Sequence, residues 1–255
     1  MSSTNPFRLD NEIAIITGGA TGIGYGVAQC FVEAGAKVVL IGRRENMLKE
    51  AVASLGPSAG YVVGDVTQSE DQLAKLVSEI TSRFGAPTIL INNAGIHLKK
   101  PAEQTTDEEF RKVFDTHVFG SFKMSRAVAP GMLERGKGSI VFMASMASIF
   151  ALPLVIAYSG AKSAYLGMVR TLATEWGARG VRVNAIAPGW IDTPMMRAAV
   201  FTDEARKNRI LARTPMNKFG EPRDIGLAAV YLCSPAANFV TGITLTVDGG
   251  AAIGF

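Results

Sequence analysis

The sequence is short of the residues that bind metals and form crosslinks. Its 255 residues include two cysteines, Cys30 and Cys233, and two histidines, His97 and His117. Two distant cysteines in apolar helical surroundings suit buried free thiols, not a disulfide framework. No cysteine pair stands near either histidine, so a metal site is not expected. Charge is sparse as well: 19% of residues are charged, and 26 basic against 22 acidic residues give a net +4. No basic stripe with interleaved aromatics occurs, which argues against a nucleic-acid partner. With 48% hydrophobic residues the chain is too apolar for disorder. Its length lies near the upper limit for one core, so a single domain over 1–255 is expected.

Two stretches, 13–32 and 138–161, carry no charge at all. Length alone would admit both as membrane spans. Glycines at 18, 19, 22, 24 and 26 interrupt the first, and Pro153, Gly160 and three serines between Ser139 and Ser148 break the second. No membrane span is therefore expected. Met1 to Glu12 lacks the apolar core of a secretory signal, which points to a cytoplasmic location.

What the sequence does have is alternation. Short β-rich runs at Ile13–Ile16, Lys37–Ile41, Tyr61–Val63, Ile89–Ile91, Ile140–Phe142, Val181–Ile186 and Thr244–Val247 are separated by helical patterns. In Gln72–Phe84, for example, Leu73, Leu76, Val77 and Ile80 fall on one helical face. Seven strands with intervening helices predict a Rossmann-like, doubly wound parallel sheet covered on both faces. The least regular segment, about 188–222, reads as a substrate lid with a short helix.

The first strand runs straight into T-G-G-A-T-G-I-G at 17–24 and then into a helical pattern, Tyr25–Ala34. Glycines at a strand-to-helix turn let the backbone approach a pyrophosphate, and the helix N-terminus supplies free N–H groups. The second strand ends at Gly42-Arg43-Arg44. An acidic residue there would bond ribose hydroxyls; two arginines would instead attract a 2′-phosphate, favouring NADP with NAD possible. The plainer alternative is that both arginines face water.

Tyr158 and Lys162 stand four apart after Pro153, so a helix beginning near Ala157 puts both on one face. An ammonium beside a phenol favours the phenolate, and such a tyrosine can exchange a proton with a carbonyl/alcohol pair. Ser145 follows the strand Ile140–Phe142 and could hold the substrate oxygen, with Ser148 a rival on the same loop. A serine hydrolase fits less well, because Ser145 lacks the G-x-S-x-G turn.

Together with N-N-A-G (92–95), Y-S-G-A-K (158–162), P-G (188–189), G-D-V (64–66) and V-D-G-G (247–250), these residues make the chain resemble the short-chain dehydrogenase/reductase family over essentially its whole length. The resemblance implies cofactor contacts from Gly18, Thr21, Gly22, Ile23 and Gly24, from Asp65 (to the adenine amino group) and Val66, and from Asn92, Ala94 and Gly95. It further implies contacts from Pro188, Gly189, Ile191 and Thr193 at the carboxamide end. Lys162 would bind the nicotinamide ribose, Ser145 would polarise the substrate, and Tyr158 would be the general acid/base. One position departs from the pattern. Where the family often has an asparagine whose carbonyl anchors a relay water, this chain has His117. The carbonyl survives the change, so the relay is expected to persist with altered geometry; the alternative is that His117 only packs. His97 reads as a loop residue near substrate.

I-H-L-K-K-P-A-E (96–103), R-T-P (213–215) and G-E-P (220–222) look like the corresponding stretches of gluconate 5-dehydrogenases, implying a sugar-acid substrate. Lys99, Lys100 or Arg197 could pair with its carboxylate. Trp190, Met195, Met196 and Phe201 would suit an apolar acyl chain, as in 3-oxoacyl carrier-protein reductases, and a non-catalytic nucleotide-binding relative is a third reading. The family implies a homotetramer.

Overall fold

The computed structural model describes residues 5–200 and 203–254, without the side chains of Met195, Ala198 and Ala199. Phe201 lies outside the described residues. Seven strands form the sheet: β1 (Ile13–Thr17), β2 (Lys37–Gly42), β3 (Ala59–Val63), β4 (Ile89–Asn92), β5 (Gly138–Met143), β6 (Val181–Pro188) and β7 (Thr244–Val247). Nine helices accompany them among the described residues: α1 (Gly22–Glu33), α2 (Glu45–Leu55), α3 (Glu70–Phe84), α4 (Asp107–Phe114), α5 (Gly120–Arg135), α6 (Ile156–Trp176), α7 (Pro194–Val200), α8 (Glu204–Arg213) and α9 (Pro222–Cys233). All seven expected strands are present.

The strands pair in parallel in the order β3-β2-β1-β4-β5-β6-β7. Chain order reverses between β1 and β4, and a crevice opens there outside the carboxyl ends of the strands. The strands are apolar on both faces because both are covered. Ala14, Ile16, Val38 and Leu40 pack with Val27 and Phe31 of α1, Leu48 of α2 and Ile225 of α9. Their alternates Ile15, Val39 and Ile41 pack on the opposite side, with Leu73 and Ile80 of α3, Met124 of α5 and Val169 of α6. Each such aliphatic side chain contributes about 1.5–3 kcal/mol by leaving water.

Two local differences from expectation have physical causes. Helix α3 starts at Glu70 because Ser69 and Gln72 form a reciprocal capping box, which satisfies the amides of its first turn. The segment after β6 holds two helices, not one, and Asp203 caps the second by accepting from the Arg206 amide. Among the described residues, no helix is long and apolar enough to cross a membrane.

Candidate active site

The turn after β1 is bound to the end of β4. Thr17 Oγ1 accepts from the amides of Asn93 and Ala94, both at 3.0 Å, and donates to the Ile91 carbonyl at 3.2 Å. Asn93 Nδ2 returns to the carbonyls of Thr17 and Gly18 at 3.0 and 3.2 Å. Gly18 has φ +64°, and a Cβ on it would lie 3.1 Å from the Ala94 Cα. A Cβ on Gly24 would fall 2.4 Å from the Gly18 carbonyl oxygen, so α1 can rise this close to the turn only without a side chain there. Thr21 flanks α1 without capping it, and the first turn contains no acidic residue. This leaves amides facing a cavity of about 410 Å³.

The cavity wall includes Gly18, Thr21, Gly22 and Ile23, then Arg43, Arg44, Asp65 and Val66, then Ala94 and Gly95, and finally Pro188, Gly189 and Thr193. A glycine cradle, an uncapped helix start and flanking cations fit a dinucleotide. Arg43 lies 3.7 Å from Asp65 and is mostly exposed, so it can turn toward an anion at little cost. Asp65 also accepts from the Thr67 amide and hydroxyl, which fixes its carboxylate.

At the other end the cavity is lined by Ser145, Tyr158, Lys162, His97 and His117. Ser145 Oγ accepts from the Ala147 amide at 3.1 Å, and its hydroxyl faces the Tyr158 phenol as a hydrogen-bond partner. The Ser148 hydroxyl instead donates to the Ser145 carbonyl, and Ser148 is absent from the cavity wall. Burial pushes the Tyr158 phenol above its ordinary value, with the Ser145 hydroxyl opposing. The expected lowering by the ammonium is not what this arrangement gives. Lys162 Nζ lies 5.6 Å from the Tyr158 ring centroid and donates to the Met143 carbonyl, and burial lowers Lys162 to about 7.

His117 sits in a widened helical turn, Asp115–Phe119, between α4 and α5. Its carbonyl accepts from the Tyr165 hydroxyl at 2.9 Å and from the Ser121 hydroxyl, so side chains already occupy that acceptor. Its ring meets Tyr158 edge-on at 5.5 Å, and His97 lies 5.1 Å from the other side of Tyr158. Burial, followed by the Lys162 charge, lowers His117 to about 3, so the imidazole is neutral.

Three expected contacts do not reach the cavity wall. Gly24 lies behind the turn it makes possible. Asn92 is buried and donates to Ser125 of α5 at 2.9 Å. Ile191 is buried in the core, where its backbone bridges to Gly220. Lys100 is held by Glu109 at 2.9 Å and Arg197 by Asp192 at 2.7 Å, which leaves Lys99 as the uncommitted cation of the three. Sequence reasoning missed Thr17, Asn93, Met47 and Thr116. Asn93 was within reach, but nothing in the N-N doublet says which asparagine turns toward the crevice. Among the described residues, no cluster could hold a metal ion.

A family model described as Enoyl-(Acyl carrier protein) reductase matches residues 18–252. Galactitol 2-dehydrogenase (L-tagatose-forming) of Cereibacter sphaeroides is 40% identical over 248 residues, 96% of each chain. The structure of a gluconate 5-dehydrogenase from Burkholderia cenocepacia, in complex with NADP and tartrate, superposes with a TM-score of 0.93 at 33% identity, covering 98% of both chains. A solved short chain dehydrogenase/reductase family protein gives a TM-score of 0.87 at 36% identity, covering 96% of this chain and 100% of its own. Matched along nearly its whole length in sequence and in fold, the chain belongs to the short-chain dehydrogenase/reductase family of nicotinamide-dependent oxidoreductases.

Proposed function

We propose that the protein interconverts a secondary alcohol and a ketone on a polyhydroxylated substrate of the sugar-acid or sugar-alcohol type. The observation that carries this reading is the convergence of Ser145, Tyr158 and Lys162 on the cavity that begins at the glycine cradle. The nicotinamide, when bound, supplies or accepts the hydride. Tyr158 takes the proton from the alcohol oxygen during oxidation and returns it during reduction. The Ser145 hydroxyl, already beside the phenol, orients that oxygen against Tyr158. Lys162, when charged, favours the Tyr158 phenolate.

Arg43 and Arg44 line the cavity and no carboxylate closes the end of β2, which supports NADP over NAD. The segment 188–222 selects the substrate, with α7 and α8 as its helices. A homotetramer in the cytoplasm belongs to the same proposal, and exposed Phe119 just before α5, Phe122 within it, and Phe239 and Ile253 near the C-terminus support the assembly. A second reading, an apolar acyl substrate, draws on Trp190 facing Phe150 at 6.4 Å. The deciding experiment is a panel of keto-sugar acids, polyols and β-ketoacyl thioesters with NADPH and NADH. Turnover confined to thioesters would reverse the order of the two readings, and cofactor binding without turnover on any substrate would remove both.

A further inference from the structure

The Lys162 amine lies in an almost wholly buried place, where burial works against its charged form. It is 4% exposed, and among the described residues no carboxylate pairs with it. One of its N–H groups goes to the Met143 carbonyl. The titratable groups facing it are Tyr158 and Tyr165 on its own helix and His117 from the turn before α5. His97 stands beyond Tyr158 on the loop after β4. None of these is an anion in its ordinary state, so the ammonium draws its support from a carbonyl and from aromatic faces.

The nearer face belongs to Tyr165. Its ring centroid lies 4.9 Å from Lys162 Nζ, against 5.6 Å for Tyr158. Tyr165 is 1% exposed and packed on Phe142 of β5 at 5.2 Å, so the ring has no freedom to turn away. Its hydroxyl donates to the His117 carbonyl at 2.9 Å. The four side chains close a circuit. Lys162 lies over Tyr165, Tyr165 pins His117, the His117 ring abuts Tyr158, and Tyr158 stands one helical turn before Lys162.

We propose that Tyr165 is a positioning residue for the reaction: its ring face holds the Lys162 ammonium beside Tyr158, and its hydroxyl anchors the turn that carries His117. An electron-rich ring attracts a desolvated cation more strongly than an exposed one, so the contribution is large where water is absent. Removing the ring face weakens the charged form of Lys162. A less charged Lys162 favours the Tyr158 phenolate less, and the phenol then releases its proton at higher pH.

This inference rests on the proposed function for its kinetic consequence but not for its direct test. The Lys162 side chain, labelled with ¹³C at Cε and assigned by its loss in Lys162→Arg, is titrated by NMR in the protein without cofactor. Tyr165→Phe keeps the face and is expected to titrate with wild type. Tyr165→Met, of similar bulk without a π face, is expected to titrate lower by about half a unit or more. Should Tyr165→Met not fold, 4-cyanophenylalanine at position 165 preserves the ring's shape while draining its electrons, and the same downward shift is expected. In kcat/KM for alcohol oxidation, the acid limb is expected to move to higher pH in Tyr165→Met and to stay in place in Tyr165→Phe. A Lys162 titration unchanged by both ring alterations would overturn the inference and leave the proposed function standing. Failure of the proposed function would appear instead as wild-type protein without turnover on any substrate, whatever the titration shows.

Discussion

Nε2 of His117 stands against both polar groups of a single residue, 2.8 Å from the Ile96 carbonyl oxygen and 3.2 Å from the Ile96 amide nitrogen, and bonds one of them in either neutral tautomer: protonated it donates to the carbonyl, bare it accepts from the amide. Nδ1 is buried with no hydrogen-bond partner among the described residues. The ring therefore moors the loop after β4 to the turn before α5, and it does so as a neutral group. Its folded value of about 3 lies below the unfolded value near 6.5, so between them the unfolded chain binds the extra proton. This residue's contribution to stability is complete above about pH 6.5 and falls as pH drops, by about 1.4 kcal/mol per pH unit, until about pH 3. Denaturation midpoints of wild type and His117→Asn across that window are expected to converge on acidification, the variant lacking one proton of dependence. Parallel curves would mean that the imidazole protonates as easily folded as unfolded.

Arg43 and Arg44 give the cofactor end its charge, and Arg43 holds Asp65 at 3.7 Å without being buried by it. A charge-assisted bond to a 2′-phosphate contributes about 1.5–3 kcal/mol. Arg43→Ala is expected to raise KM for NADPH by about 10-fold or more while leaving NADH within about 2-fold. Equal losses with both cofactors would show that the arginine shapes the pocket and does not read the phosphate.

The fold was legible because its signals repeat. Seven short apolar β-rich runs, separated by helical patterns, allow few arrangements other than a parallel sheet covered on both faces, and the turn at 17–24 marks its first crossover. Ser145, Tyr158 and Lys162 were legible for the same reason: a strand end and one helical turn fix their places. What the sequence withheld is which way neighbouring side chains face. Asn92 and Asn93 are adjacent, yet one bonds Ser125 in the core and the other lines the crevice, because successive residues leaving a strand point to opposite sides. Nothing in the sequence singles out Tyr165, and only folding brings it under Lys162 and onto the His117 carbonyl. The direction of the Tyr158 shift was hidden too, since burial outweighs an ammonium that stands 5.6 Å away.

Two serines on one loop are separated by their bonding. Ser145 uses its oxygen to accept from Ala147 and turns its hydroxyl to the Tyr158 phenol inside the cavity, whereas Ser148 commits its proton to the Ser145 carbonyl. Ser145→Ala is expected to lower kcat by about 10²–10³-fold with cofactor affinity unchanged. Ser148→Ala loses one local bond and is expected to cost about 1 kcal/mol of stability with kcat within a few-fold of wild type. Steady-state kinetics alongside thermal denaturation separates the two, and the assignment fails if Ser148→Ala carries the larger loss of kcat.

Of the three cations expected to meet a sugar-acid carboxylate, Lys99 is the one without an ion pair among the described residues, since Glu109 holds Lys100 and Asp192 holds Arg197. It is exposed, and its charge reaches His97, whose ring lies 5.1 Å from Tyr158. An exposed charge acts through water and is screened by salt, so its effect on binding is modest and depends on ionic strength. Lys99→Ala is expected to raise KM for a sugar acid by about 3–10-fold at low salt, to leave kcat unchanged, and to leave KM for a neutral polyol where it was. Added salt is expected to shrink the difference between variant and wild type, because it screens in both what the substitution removes in one. Lys100→Ala breaks an internal ion pair instead and is expected to alter stability by less than about 1 kcal/mol with no preference between substrates. If Lys99→Ala raised KM equally for the acid and the polyol, the residue would be a packing element of the cavity mouth, and recognition of a carboxylate would have to come from elsewhere.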